Sequence, residues 1–194
     1  MAFQRAKTRG DSLKEMQTAF IGMGGNLASW AGAPELTLAA AAQRMERLGR
    51  VVGRSSLYST EPVGYAAQPR FVNAVAALET ELTPRELLRG LLAIEQEFGR
   101  DRSAGIANGP RTLDLDILLF GDIEISEQDL EIPHPRLAER AFVLTPLAEI
   151  APEMVVPGLG KSVGELLAKL REGGLDAADA VVRVQSEGWV VSHV

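Results

Sequence analysis

Short apolar runs alternate along the chain with stretches that carry the i, i+3, i+4 spacing of a helix face. Thr18 to Met23 is an apolar run closed by Gly24-Gly25-Asn26, which predicts a strand and a turn. Pro34 to Leu48 predicts a helix through Leu38 and Met45, because Pro suits its first position and Gly49 its stop. Val51 to Tyr58 reads as a strand. Phe71 to Leu82 reads as another, with Val72, Ala74, Ala76 and Leu78 alternating against Phe71, Asn73, Val75 and Ala77, so that both faces are largely buried. Thr83-Pro84-Arg85-Glu86 is a capping box, and Leu87, Leu88, Leu91, Ile94 and Phe98 form the apolar stripe of a helix ending at Gly99. Between Pro110 and Gly121 a last apolar run contains Asp114 and Asp116, two residues apart and therefore on one face of a strand.

Strand, helix, strand, strand, helix, strand is the split βαβ order of a ferredoxin-like core, an α+β fold with helices packed on a mainly antiparallel sheet. Asp122 to Glu131 suggests a small hairpin or loop, Ala141 to Glu149 a short helix, and Ser162 to Arg171 a helix with Val163, Leu166, Leu167 and Leu170 on its face. In the last segment, Val181, Val182, Val184, Trp189, Val190 and Val191 fit either an edge strand or a packed extension. The expected organisation is a flexible tail over residues 1–17, one catalytic domain over 18–172, and an extension over 173–194. There is no internal repeat or low-complexity tract.

Composition narrows the function classes. With 194 residues, 46% of them hydrophobic, the chain can bury one sizeable core. A net charge of −6 argues against a general nucleic-acid binder, so local arginines must do any phosphate work. No cysteine is present, which removes thiolate nucleophiles and Cys-based metal sites. Met1 to Glu15 lacks the apolar core of a secretory signal, and no long apolar span occurs. A cytoplasmic monomer that binds neither membrane nor nucleic acid is the simplest expectation.

Two ionised carboxylates in an apolar strand are costly unless a cation meets them. Two on one face suit Mg²⁺, which takes a few carboxylates and completes its octahedron with water and phosphate oxygens. Arg111 adds a planar fork matched to phosphate. A solvated strand end with a local Arg–Asp pair is the alternative for such a motif taken alone.

The flanking sequence carries a family resemblance. In order along the chain stand Ile21-Gly22-Met23-Gly24-Gly25-Asn26-Leu27, Ser55-Ser56-Leu57-Tyr58-Ser59-Thr60-Glu61-Pro62-Val63-Gly64, Gln68-Pro69-Arg70-Phe71-Val72-Asn73-Ala74 and Ile94-Glu95-Gln96-Glu97-Phe98-Gly99-Arg100. Then follow the string from Gly109 to Gly121, Ile132-Pro133-His134-Pro135, and Arg140-Ala141-Phe142-Val143-Leu144-Thr145-Pro146-Leu147. Together these blocks closely resemble the 6-hydroxymethyl-7,8-dihydropterin pyrophosphokinases of the folate pathway, from about Thr18 to about Leu170.

The resemblance implies transfer of the β,γ-pyrophosphoryl unit of ATP to the hydroxymethyl oxygen of the pterin, releasing AMP without a covalent enzyme intermediate. It assigns two Mg²⁺ ions to Asp114 and Asp116 and phosphate contacts to Arg100, Arg111, His134 and Arg140, with Arg100 and Arg111 on mobile active-site loops. Whether Asp116 also accepts the hydroxyl proton stays open. For Arg100 the structural alternative is a cation closing the helix carboxyl end; His134 and Arg140 taken singly would be surface residues. Phe71 and Phe142 match the aromatic pair that sandwiches the pterin, each otherwise a core filler. Asn73 matches the edge-binding amide, Thr60 to Val63 the segment reading the pterin edge, and Glu95 and Ile117 positions near the nucleotide.

Three departures stand out. Asn108 occupies a position where relatives often carry Trp, Asp129 one where some carry Arg, and Asp101 to Asn108 is about one residue longer than in one form of the family, though its small polar residues suit a lid. Gly24-Gly25-Asn26 lacks the Lys-Ser/Thr of a P-loop and reads as a turn beside the pterin pocket. Two other classes remain: a metal-dependent nucleotide hydrolase using the same carboxylates, and a non-catalytic ligand-binding module.

Overall fold

The computed structural model describes residues 15–62, 64, 67–101, 109–173, 181–186 and 188–193. Its elements run β1 (Gln17–Gly25), α1 (Pro34–Met45), β2 (Arg50–Arg54), β3 (Leu57–Thr60), β4 (Phe71–Thr80), α2 (Pro84–Glu97) and β5 (Asp114–Phe120). There follow β6 (Ile125–Glu127), β7 (Leu130–Ile132), α3 (Ala141–Ile150), β8 (Val155–Val156), β9 (Lys161–Ser162), α4 (Val163–Glu172) and β10 (Val182–Val184). The main sheet has the order β10-β3-β4-β1-β5, with β2 also on β4, and every pairing is antiparallel. With β2 and β3 taken as one broken strand, this is the ferredoxin-like order that the element sequence predicts. Among the described residues no helix is long and apolar enough to cross a membrane.

The break between β2 and β3 has a local cause. The buried Ser55 donates its backbone N–H to Val75 O (2.9 Å), while its hydroxyl accepts from Val75 N (2.9 Å) and donates to Ser56 O (2.8 Å). A side chain thus replaces one rung of the ladder, so a single strand over Val51 to Tyr58 becomes two. Such a substitution leaves no period-2 signature to read.

The sheet is covered on both faces. Ala19, Ile21 and Met23 of β1 pack with Leu38 and Met45 of α1 and Leu91 of α2. On the other face Phe20, Val75 and Leu118 pack with Leu144 and Leu147 of α3 and Leu167 of α4. The β1–β5 register shifts between Phe20 and Ile21, which places both Leu118 and Leu119 in this second core.

The C-terminal segment adds an edge strand. Val182, Arg183 and Val184 pair with Ser59, Tyr58 and Leu57, Trp189 Nε1 donates to Ser55 O (2.7 Å), and Arg54 and Ser192 exchange two backbone bonds (2.7 and 2.9 Å). Glu149 of α3 meets the same region: it accepts from Ser56 N (2.8 Å), Ser56 Oγ (2.7 Å) and Tyr58 OH (2.8 Å), and Arg183 lies 3.7 Å away. Burial pushes the Glu149 carboxyl up, but the Ser56 and Tyr58 donors and the Arg183 charge outweigh it and hold it below its ordinary 4.5. Tyr58 is pushed up to about 12, by burial first and then by Glu149. Glu149→Ala removes three bonds to a charged acceptor and is expected to cost about 2–3 kcal/mol, or about 4–12 °C in Tm. Because the folded carboxyl is the stronger acid, this contribution is complete above pH 4.5 and is lost as pH falls through the folded value. Melting both proteins at pH 7 and at pH 3 checks this: the gap should narrow at the lower pH.

Candidate active site

The strand β1 prepares the floor. Its Gly22 stands opposite Asp116 of β5, and Gly24 stands between Asp114 of β5 and Asn73 of β4. A Cβ at Gly24 would lie 2.9 Å from Asn73 Oδ1, and one at Gly22 would lie 3.1 Å from a Leu118 methyl. Glycine at both positions keeps side chains out of a small cleft bordered by Asn73, Asp114, Asp116, His134, Arg140 and Phe142. Residues from three strands, a loop and the start of α3 therefore meet in one hollow.

Asp114 is held by two arginines. Arg100 pairs with its Oδ1, and Arg111 Nε lies 2.9 Å from its Oδ2. Arg100 also donates from Nη1 to Glu95 Oε1 (2.9 Å) and Leu113 O (3.0 Å). It stands just beyond Gly99, whose φ of +81° turns the chain out of α2. Its side chain reaches across to β5 while its backbone N–H still bonds Glu95 O in the last turn of α2, so the site role and the helix-closing role are compatible. Glu95 is only 1% exposed and also accepts from Leu115 N (2.8 Å), so it braces Arg100 against β5 from beneath the cleft.

Asp116 is in a different electrostatic state. Burial first, and then the charges of Asp114 and Glu95, push its carboxyl up to about 7, against the opposing pull of Arg100 and Arg111. Two like charges side by side, one of them starved of solvent, form a donor pair that a cation would relieve. Among the described residues no group of three or more His, Cys, Asp and Glu could hold a metal by itself. Two adjacent carboxylates are a donor set that Mg²⁺ could use, since it tolerates few protein ligands and takes the remainder from water and phosphate.

The cationic wall continues through His134 and Arg140. His134 Nδ1 accepts from Arg136 N (3.1 Å), which assigns the ring proton of the neutral form to Nε2, and its backbone N–H donates to Leu118 O (2.9 Å). Burial, then the Arg140 charge, lowers its pKa and favours the neutral ring. Arg140 lies 5.5 Å from the Phe142 ring centroid and Arg111 5.0 Å from that of Phe71. Arg136, whose charge bears on both His134 and Arg140, is a further cation here that no sequence motif singled out.

Phe71 and Asn73 stand two apart on β4; Asn73 borders the cleft, Phe71 lies under the Arg111 guanidinium, and Asn73 Nδ2 donates to the buried Thr60 Oγ1 (2.8 Å). Thr60 is thereby satisfied by Asn73 at the end of β3. Ile117 points into the core that holds α1 and α2, away from the carboxylate face. It borders a second cleft with Leu88, Asp129 and Leu130 that meets the first at Asp116 and His134. Val63, Asn108 and most of the stretch expected to form a lid, residues 102–108, lie outside the described residues.

Residues 20–152 match the family described as 7,8-dihydro-6-hydroxymethylpterin-pyrophosphokinase (HPPK). The chain belongs to this family. Among HPPK relatives, the 2-amino-4-hydroxy-6-hydroxymethyldihydropteridine pyrophosphokinase of Pseudomonas aeruginosa is 46% identical over 163 residues, which is 83% of this chain and 96% of the relative. The enzyme of the same name from Methylorubrum extorquens is 41% identical over 166 residues, covering 84% of this chain and all of the relative. In fold the chain is similar to the crystal structure of wild-type Plasmodium falciparum HPPK-DHPS with SDX-DHP, at a TM-score of 0.68 and 16% identity. That match covers 88% of this chain, which spans half the length of the Plasmodium chain.

Proposed function

We propose that the cleft transfers the β,γ-pyrophosphoryl unit of ATP to the hydroxymethyl oxygen of 6-hydroxymethyl-7,8-dihydropterin and releases AMP, a step in folate biosynthesis. The observation that carries this reading is that Asp114 and Asp116 border one cleft with Arg111, His134, Arg140, Phe142 and Asn73, and that Arg111 lies over Phe71. The arginines and histidine suit a triphosphate, and the rings and amide a flat heterocycle.

In the proposed reaction the pterin oxygen attacks the β-phosphorus, the bond from that phosphorus to the α-bridging oxygen breaks, and AMP leaves with the bridging oxygen. Phe71 and Phe142 stack the heterocycle, and Asn73, oriented by Thr60, meets its edge. Thr60 and Val63 begin and end the segment assigned to that edge. Arg100, Arg111 and Arg140 hold phosphate oxygens through forked contacts that strengthen as charge gathers on the leaving bridge. Neutral His134 donates from Nε2 without adding charge. Two Mg²⁺ ions bound by Asp114 and Asp116 would neutralise the triphosphate and acidify the attacking hydroxyl. The second cleft, with Ile117 on its wall, suits the nucleotide base; Glu95 acts on the nucleotide through Arg100. ATP consumption measured with and without the pterin tests the reading. Turnover that needs both pterin and Mg²⁺ is expected; equal turnover without pterin would make the protein a hydrolase.

A further inference from the structure

Asn26 ends β1 with a buried side chain, 4% exposed, and every bond it makes crosses to another loop. Its Oδ1 accepts from Arg111 N (2.8 Å), and its own backbone N–H donates to Arg111 O (2.9 Å). Its Nδ2 donates to Gln68 Oε1 and to Pro69 O, both at 3.0 Å. The amide orientation follows from its partners, because a backbone N–H can only donate and a carbonyl can only accept. The neighbouring Gly25 makes the approach possible: a Cβ there would lie 2.4 Å from Thr112 O.

The two loops so joined carry the two halves of one contact. Residues 68–70 lead into Phe71, and Arg111 places its guanidinium over the Phe71 ring. Resting on the proposed roles of Phe71 as a pterin wall and Arg111 as a phosphate clamp, we infer that Asn26 is a positioning residue that sets the pterin wall and the phosphate clamp at a fixed separation. The attacking hydroxymethyl group hangs from the heterocycle, so its approach to the β-phosphorus depends on that separation. A small misplacement there is felt in rate more than in nucleotide binding. Asparagine is required because one acceptor and two donors are needed at that reach. Aspartate keeps only the acceptor, and Pro69 O cannot turn away from the new carboxylate as the Gln68 amide can.

The test is a split of kinetic parameters across Asn26→Asp, Asn26→Ala and Gln68→Ala, with melting curves to establish folding. Asn26→Asp keeps the Arg111 side and loses the Phe71 side, so the separation is no longer fixed: kcat should fall about tenfold while the ATP KM stays within about threefold, the scale of one to two hydrogen bonds. Asn26→Ala also loses the bond from Arg111 N, keeping only the backbone bond to Arg111 O, and should lower kcat at least as far. Gln68→Ala removes the Nδ2 partner at the loop and should lower kcat about threefold. Phe71→Ala and Arg111→Ala are measured beside them. If those two respond while folded Asn26 and Gln68 variants keep wild-type constants, or if Asn26→Asp raises the ATP KM without lowering kcat, the inference falls. If Phe71→Ala and Arg111→Ala are themselves silent, the underlying assignment of the site falls.

Discussion

Asp114→Ala and Asp116→Ala are each expected to lower turnover at saturating ATP, pterin and Mg²⁺ by about 10³-fold or more, the scale on which loss of a direct electrostatic contact to the reacting groups is felt. Both side chains project into the cleft and leave the apolar contacts of β5 intact, so the variants should fold. Pterin affinity should suffer less, because its rings and amide stand on β4 and α3. Asp116→Asn adds a second reading of the same site. In the wild type the folded Asp116 carboxyl, at about 7, is a weaker acid than in the unfolded chain, whose reference value is 3.8. The fold therefore disfavours its ionised form: the cost is absent below the unfolded value, grows as pH rises, and is complete above pH 7. Without metal, Asp116→Asn should melt above wild type at pH 8 and level with it near pH 4. Mg²⁺ with a nucleotide should raise the wild-type Tm more than that of the variant. Near wild-type turnover in both alanine variants would remove the metal-site assignment.

The second large effect is at the aromatic pair. Phe142→Ala should weaken pterin binding by about tenfold to a hundredfold, corresponding to about 1.5–3 kcal/mol of stacking and apolar contact. Its ring is partly exposed at the start of α3, so the accompanying loss of stability should be small. Phe71 is 8% exposed, and Phe71→Ala should cost affinity and stability together. Calorimetric titration with pterin, beside thermal melts, separates the two roles. Intact affinity with a large fall in Tm for Phe142→Ala would return that ring to the core.

The parts of the fold that the sequence announced are those with a local signal. The period-2 alternation of β4, the capping box at Thr83, whose hydroxyl accepts from Glu86 N, and the carboxylates two apart on β5 depend on neighbours a few residues away. Asp122 to Glu131 closes as the β6–β7 hairpin for the same reason. What stayed open depends on distant partners. Trp189 is anchored by a carbonyl 134 positions upstream, and Glu149 by Ser56 at a separation of 93, so the C-terminal segment could not be assigned from its own pattern. The two-residue strands β8 and β9 are too short to show any period.

The site divides in a similar way. The carboxylates, the matched arginines and histidine, the rings and the amide carry chemistry at recognisable spacings; most of them border one cleft, while Arg100 reaches it by its pair with Asp114 and Phe71 lies under Arg111. Glu95 and Asn26 were harder to interpret, because a buried carboxylate or amide declares its role only through its partners. Glu95 lies under Arg100, and Asn26 between two loops more than 40 residues away from it. The turn signal of Gly24-Gly25-Asn26 marked the place of Asn26 but not its task.

Product identity after a single turnover tests the central claim most directly. Attack at the β-phosphorus expels AMP and leaves a diphosphate on the pterin, whereas attack at the γ-phosphorus expels ADP and leaves a monophosphate. With enzyme in excess over ATP, the account predicts pterin-dependent AMP in equal amount with pterin diphosphate. ADP as the first nucleotide product, or AMP formed equally well without pterin, would contradict it.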